Sequence, residues 1–167
     1  YKFIECGQYI PVKDFDKRDT KTFDYSKQYV LYSEYAHGGS FKDWLKKMRN
    51  RITDNDMSHM IYQVIATLKK IHSRYPEFRH NDLHCGNILV DDTGTFPRLM
   101  LTDFGLSRIK TRGSNPIVNA GFHASAGISN RTSVKYDIHY FLNALTYEIR
   151  DMNHLRKTKE FLMRMLP

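Results

Sequence analysis

An α+β fold, mostly helical, follows from three features of this 167-residue sequence. Segments rich in Tyr, Val, Ile and Phe, suited to strands, lie near the start. A long amphipathic stripe occupies the middle, and helical periodicity returns near the end after a polar stretch. Strands first and helices afterwards, rather than in alternation, place the chain in the α+β class. Hydrophobic residues make up 41% and charged residues 26%, a globular composition that excludes a disordered chain. No run of apolar residues is long enough for a membrane span, and no charged-then-apolar leader opens the chain. Two cysteines, Cys6 and Cys85, cannot build a disulfide framework, so a reducing cytoplasmic or nuclear setting is expected. The formal charge of +8 suits contact with an acidic or nucleic-acid partner, although on composition alone a solvated surface is the preferred reading.

The first strands are expected over residues 1–10 and 28–35, joined by a polar, exposed connection over 12–27. His37-Gly38-Gly39-Ser40 then breaks the pattern, and Ser40 is an N-cap for a helix over 41–48 that places Phe41, Trp44, Leu45 and Met48 on one face. Trp44 is read as core. Met57, Met60, Ile61, Val64, Leu68 and Ile71 mark a helix from about Asp56 to Ser73. Two apolar runs, 87–90 and 99–102, flank an Asp-Asp-Thr-Gly cluster and read as a hairpin. Residues 107–135 lack periodicity and read as a long loop. Ile138, Phe141, Leu142, Leu145 and Ile149 give another helix, and a last one is expected over 153–166.

The chemistry concentrates in His80-Asn81-Asp82-Leu83-His84-Cys85-Gly86-Asn87, between the long helix and the hairpin. Asp82 and Asn87 are five residues apart with Gly86 between them, a spacing that lets a tight loop turn both side chains to one side. Asp103-Phe104-Gly105 follows on the other arm of the hairpin, sixteen residues after Asn87. A carboxylate to orient a hydroxyl, and oxygen donors for Mg²⁺, are what phosphoryl transfer requires. A zinc site on His80, His84 and Cys85 is disfavoured, because Gly86 and a loop conformation spoil a helical ligand face. Cys85 reads as a small semi-buried residue. The basic run Lys46, Lys47, Arg49 and Arg51 reads first as a solvated helix face, and second as a contact for nucleic acid or an acidic substrate.

These residues resemble the protein-kinase-like superfamily. HNDLHCGN is similar to the catalytic loop H-x-D-x-x-x-x-N, and DFG stands unaltered. The resemblance implies a protein-kinase-like fold: a truncated small lobe and hinge over 1–36 and a mostly helical large lobe over 37–167. It implies Asp82 as catalytic base, His84 near the transferred phosphate, and Asn87 and Asp103 as Mg²⁺ ligands. Ser33, as gatekeeper, and the backbone of Glu34 and Ala36 would meet the adenine of ATP, with Leu89 beneath it. His80 and Phe104 would pack in the internal hydrophobic column. Asp137 is similar to the aspartate that opens the large central helix and braces the catalytic loop. The implied function is an ATP-dependent serine/threonine kinase with a protein substrate.

Several departures qualify that picture. Asn81 stands where many protein kinases carry an Arg that senses activation-loop phosphate, so activity independent of phosphorylation at Ser125, Ser129, Thr132 or Ser133 is expected. His84 replaces a lysine, a feature shared with haspin, choline kinases and aminoglycoside phosphotransferases, which leaves a small-molecule kinase as an alternative. No A-P-E lies between DFG and Asp137, which resembles the small kinase of the KEOPS complex and kinases of large DNA viruses. Neither a glycine-rich phosphate loop nor a V-A-I-K lysine strand precedes the hinge, and Lys2 is not assigned as the anchoring lysine. The chain is therefore expected to be a piece of a longer protein, weakly active alone. A pseudokinase or assembly module is a further alternative, disfavoured because Asp82, Asn87 and Asp103 are all kept.

Overall fold

The structure is a computed structural model, and it describes residues 2–6, 28–109, 118, 133 and 135–166. The chain divides into two compact units, residues 1–35 and 36–167, which are described separately. In the first, β1 (Lys2–Cys6) and β2 (Gln28–Tyr32) pair antiparallel, Phe3 opposite Leu31 and Ile4 opposite Val30. Both expected strands form and both are shorter than their apolar segments. The polar connection between them lies outside the described residues.

The second unit opens at the glycine pair. Gly38 donates its N–H to the Val90 carbonyl at 2.8 Å, and a Cβ at position 38 would meet that same oxygen at 2.8 Å. Only glycine permits this approach. It seats β3 (Gly39–Ser40) beside β4 (Ile88–Asp91), which pairs in turn with β5 (Arg98–Leu101) in an antiparallel sheet of order β3-β4-β5. The hairpin register sets Leu89 opposite Met100 and Val90 opposite Leu99. Ile88 and Val90 are buried while Leu89 and Asp91 are half-buried, the alternation of a one-sided sheet.

Ser40 caps α1 (Phe41–Met48) as its sequence position requires, its hydroxyl accepting the Asp43 N–H at 3.1 Å. Trp44 is core, and its indole N–H donates to Asp92 at 3.1 Å. The long helix α2 (Asp54–Arg74) begins two residues before the expected start at Asp56, because Thr53 and Asp56 form a reciprocal capping box. From its middle, Gln63 donates to the Pro97 carbonyl and accepts from the Leu99 N–H, at 2.9 and 3.0 Å, which fastens the hairpin to the helix. Helix α3 (Tyr136–Glu148) and helix α4 (Arg156–Met165) complete the unit. Met57, Met60, Val64 and Leu68 of α2, Phe141 and Leu145 of α3, and Ile88 and Val90 of β4 share one core. Most of the loop expected over 107–135 lies outside the described residues; Arg108 within it pairs with Arg79 in an antiparallel bridge. Among the described residues, no helix is long and apolar enough to cross a membrane.

Helix α4 takes its N-cap from another helix. Its own preceding residue, Leu155, offers no side-chain acceptor. Asp54, at the start of α2, accepts from the N–H of Thr158 at 2.8 Å, from its hydroxyl at 2.6 Å, and from the N–H of Lys157 at 3.4 Å. Burial raises the Asp54 carboxyl and these hydrogen bonds outweigh it, so the group lies below its ordinary pKa. Replacing Asp54 by Ala removes the acceptor shared by α2 and α4. A loss of about 1–2 kcal/mol is expected, read as a lowered urea midpoint at unchanged slope.

Candidate active site

The segment from Phe78 to Asn87 has almost no secondary structure of its own and is held by side chains from elsewhere. Asp137, fully buried in the first turn of α3, accepts from the backbone N–H of His80 at 2.8 Å and of Asn81 at 2.9 Å. Asn81 takes a left-handed backbone with φ 67°, which Asn tolerates better than most residues, and its amide donates to the Leu106 carbonyl at 2.8 Å. The chain thereby reverses and presents Asp82. The expected bracing role of Asp137 is thus visible as two hydrogen bonds.

Asp82 and Asn87 face each other. The Asn87 amide N–H₂ donates to the Asp82 backbone carbonyl at 2.9 Å and to its carboxylate at 3.0 Å. With its nitrogen so engaged, Asn87 turns its carbonyl oxygen the other way. Between them, the turn Cys85–Asn87 is capped by His84, whose Nδ1 accepts the Gly86 N–H at 2.9 Å. That bond fixes the imidazole so that Nε2 lies 3.7 Å from the Asp82 carboxylate. Cys85 is buried more completely than expected, and burial first, with Glu148 nearby, pushes its thiol up to about 12.

Asp103 is joined to this loop through its neighbour. The Thr102 N–H donates to the Asn87 carbonyl at 3.0 Å, and the Thr102 carbonyl accepts from His80 Nε2 at 2.9 Å. Asp103 itself is left-handed, with φ 57°, and accepts the Gly105 N–H at 3.3 Å on one carboxylate oxygen. His80 and Phe104 pack together as the resemblance implies, ring centroids 5.1 Å apart, and Phe78 adds a third ring at 6.4 Å from Phe104. Phe104 nonetheless stays 43% exposed: His80 and Phe78 cover part of the ring, and the rest faces outward. The zinc reading falls, because among the described residues no three His, Cys, Asp or Glu side chains are grouped to hold a metal ion, and burial keeps the Cys85 thiol protonated.

The other sequence candidates are placed as follows. Ser33 and Glu34 are exposed in the first unit, and Ala36, buried, opens the second. Leu89 is half-buried, on the opposite face of β4 from Ile88 and Val90. Lys46, Lys47, Arg49 and Arg51 are exposed; Lys46 approaches Asp43 at 3.4 Å and Arg49 donates to the Asp151 carbonyl at 3.3 Å. That is the pattern of a solvated face.

Residues 18–141 match the family model described as the protein kinase domain. The chain belongs to the protein kinase domain family. Its similarity to a serine/threonine-protein kinase of Acanthamoeba polyphaga mimivirus is 31% identity over 139 residues, 70% of this chain and 30% of that protein. It is 30% identical over 109 residues to the serine/threonine-protein kinase tousled-like 2 of Xenopus tropicalis, covering 62% of this chain and 16% of the relative. With the serine/threonine-protein kinase dst4 of Dictyostelium discoideum it shares 31% identity over 93 residues, 56% of this chain and 17% of the relative. The kinase chain therefore spans less than a third of each of these relatives.

One neighbour of Asp82 escaped the sequence reading. Burial first, and the charge of Asp82, raise the phenol of Tyr140 in α3 above its ordinary pKa, and its ring stacks on Tyr136 with centroids 5.8 Å apart. The i, i+4 spacing of two tyrosines around Asp137 was the available signal.

His80 gives the kinase fold a pH dependence. A carbonyl partner means that Nε2 carries the proton, leaving Nδ1 bare and buried, with no hydrogen-bond partner among the described residues. Burial first lowers the pKa of the imidazole below 6.5, against the pull of the Thr102 carbonyl and nearby carboxylates. The unfolded chain then takes up the proton first as pH falls through 6.5, so this contribution to stability is full above 6.5 and is lost on acidification toward the lower folded pKa. Urea midpoints at pH 7.5 and 5.5 should converge in His80→Gln relative to the parent. The difference between the two proteins is expected to reach up to about 1.4 kcal/mol per pH unit. Equal pH slopes would remove His80 as the source.

Proposed function

We propose that this chain supplies the catalytic loop and metal-binding residues of an ATP-dependent serine/threonine protein kinase. The observation that carries this reading is the knot around Thr102. Its N–H reaches Asn87 and its carbonyl reaches His80, which brings Asp103 beside the loop where Asn87 already meets Asp82. The kinase domain match and the serine/threonine kinase names of the relatives support a protein acceptor over a small alcohol.

Protein kinase domains use ATP with Mg²⁺ as a class, and the residues here fit that ion. Asn87 offers an amide oxygen and Asp103 a carboxylate oxygen, hard donors of the type Mg²⁺ prefers. Once bound, the ion would neutralise charge on the transferring phosphate. Asp82 accepts the proton side of the acceptor hydroxyl and orients its oxygen toward phosphorus. Asn87, by donating to Asp82, keeps that carboxylate from swinging away. His84 holds a donor nitrogen beside the same group, where it can meet the transferred phosphate. Ser33, Glu34, Ala36 and Leu89 are assigned to the adenine on the family resemblance alone. The work is positioning and charge neutralisation rather than covalent chemistry.

In the full-length protein, Asp82→Asn should lower kcat for phosphate transfer to a protein acceptor by about 10²–10⁴. Asp103→Asn should raise the Mg²⁺ concentration needed for half-maximal rate. Transfer by Asp82→Asn at the parent rate would end this reading.

A second consequence concerns regulation. Asn81 is buried and spends its amide on Leu106, so it offers no cation to an activation-loop phosphate. Phosphatase treatment of the full-length protein should leave its initial rate unchanged within about twofold, a tenfold drop being the contrary result.

A further inference from the structure

Helices α2 and α4 meet along a groove that the core leaves open. Its cavity of about 290 Å³ is lined by Ile61, Tyr62 and Ile65 of α2 and Phe161 of α4, with Ser58, Lys157 and Thr158 at the end near Asp54. The hydroxyls at that end are spent inside the protein. Ser58 donates to the Asp54 backbone carbonyl at 2.8 Å, and Thr158 to the Asp54 carboxylate at 2.6 Å. What remains open is apolar. Tyr62 is 70% exposed and Phe161 39%, and Met165, about one turn beyond Phe161, is exposed as well. Large apolar side chains gathered in one open cleft mark a binding surface, because covering them releases the free energy of their hydration.

The charge around this groove is almost all of one sign. Among the described residues that line it, Lys157 carries the charge. Seven positions further along the same faces, Lys69 follows Tyr62 and Arg164 follows Lys157, both exposed. After Asp56, α2 holds no carboxylate, while it carries Lys69, Lys70 and Arg74. Helix α4 sets Arg156, Lys157, Lys159 and Arg164 against Glu160 alone. Asp54 and Asp56 are spent as caps. A second copy of the chain would bring the same cations against these and be repelled, and a phosphate backbone would leave the apolar floor uncovered. We propose that the groove between α2 and α4 docks an acidic amphipathic segment of a partner protein, apolar side chains seated on Tyr62, Ile65 and Phe161 and carboxylates meeting Lys157 at one end and Lys69 and Arg164 at the other. A helix laid in a groove matches this layout of anchors and flanking charge. None of these residues belongs to the catalytic loop, so the docking surface stands apart from the phosphotransferase reading.

The test uses the full-length protein and a fluorescein-labelled peptide of about 15 residues, with leucines at i, i+3, i+4 and i+7 and glutamates elsewhere. Its anisotropy should rise to saturation on titration with the parent protein. A control peptide with lysine for every glutamate should bind at least about tenfold more weakly. Tyr62→Ala and Phe161→Ala should each weaken the glutamate peptide about tenfold, both at the parent urea midpoint within error. Lys157→Gln should weaken it about threefold and make binding less sensitive to added NaCl. Equal affinity for the two peptides, or undiminished binding by the Tyr62 and Phe161 variants, would overturn the proposal. Failure of the parent to bind the glutamate peptide would overturn it too, the groove then being closed in the full-length protein. A dimer that Phe161→Ala disperses in sedimentation equilibrium would assign the groove to a second copy instead. Co-flotation with phosphatidylserine vesicles, lost in the same variant, would assign it to a membrane surface and equally end the proposal.

Discussion

A buried carboxylate with no water to satisfy it has to be matched by fixed donors, and Asp137 is matched by the backbone of the loop it supports. Two N–H groups, from His80 and Asn81, converge on its two oxygens. Hydrogen bonds to a charged group are worth about 1.5–3 kcal/mol each, and an orphaned partner is costly to bury. The register between α3 and the loop is therefore strongly preferred. The carboxylate also lies in the first turn of its helix, where the peptide dipoles favour negative charge, and the buried Arg79 adds a positive one nearby. Everything downstream inherits this reference point: Asp82 follows directly, Asn87 bonds to Asp82, and Asp103 follows the residue bonded to Asn87.

Two left-handed residues flank the site, and both are of the tolerant kind. Asn81 and Asp103 are the non-glycine residues with positive φ among the described residues. Such a conformation costs on the order of 1 kcal/mol and survives only where surrounding contacts dictate it. Asn81 is dictated by Asp137 on its N–H and Leu106 on its side chain, and Asp103 by the bond it accepts from Gly105. The strain lies where the chain must change direction abruptly to bring a side chain to the surface.

What could be read in the sequence was local. Ser40 as a cap, the apolar stripe of α2 and the hairpin at Asp91–Pro97 each depend on residues a few positions apart, and each appears where the pattern put it. The order of catalytic loop, hairpin and DFG was legible for a different reason, its resemblance to a known family. Helix boundaries moved where a cap was overlooked, as at Thr53. What stayed hidden was contact across long separations: Asp54 capping a helix 104 residues away and Gln63 reaching β5. No periodicity encodes such pairs, because each partner alone looks like an ordinary polar residue on an amphipathic helix. Phe104 shows the converse. Its motif implied an interior ring, and the described packing encloses it only in part.

Gly86 lies so close to the imidazole of His84 that an added Cβ would come within 2.7 Å of the ring. The ring cannot retreat without giving up the bond that its Nδ1 accepts from the Gly86 N–H. The two positions are thus free to drift only in concert. A lineage that installs a side chain at 86 must surrender the histidine's seat at 84, and a lineage that restores a flexible lysine at 84 is released from needing glycine two residues on.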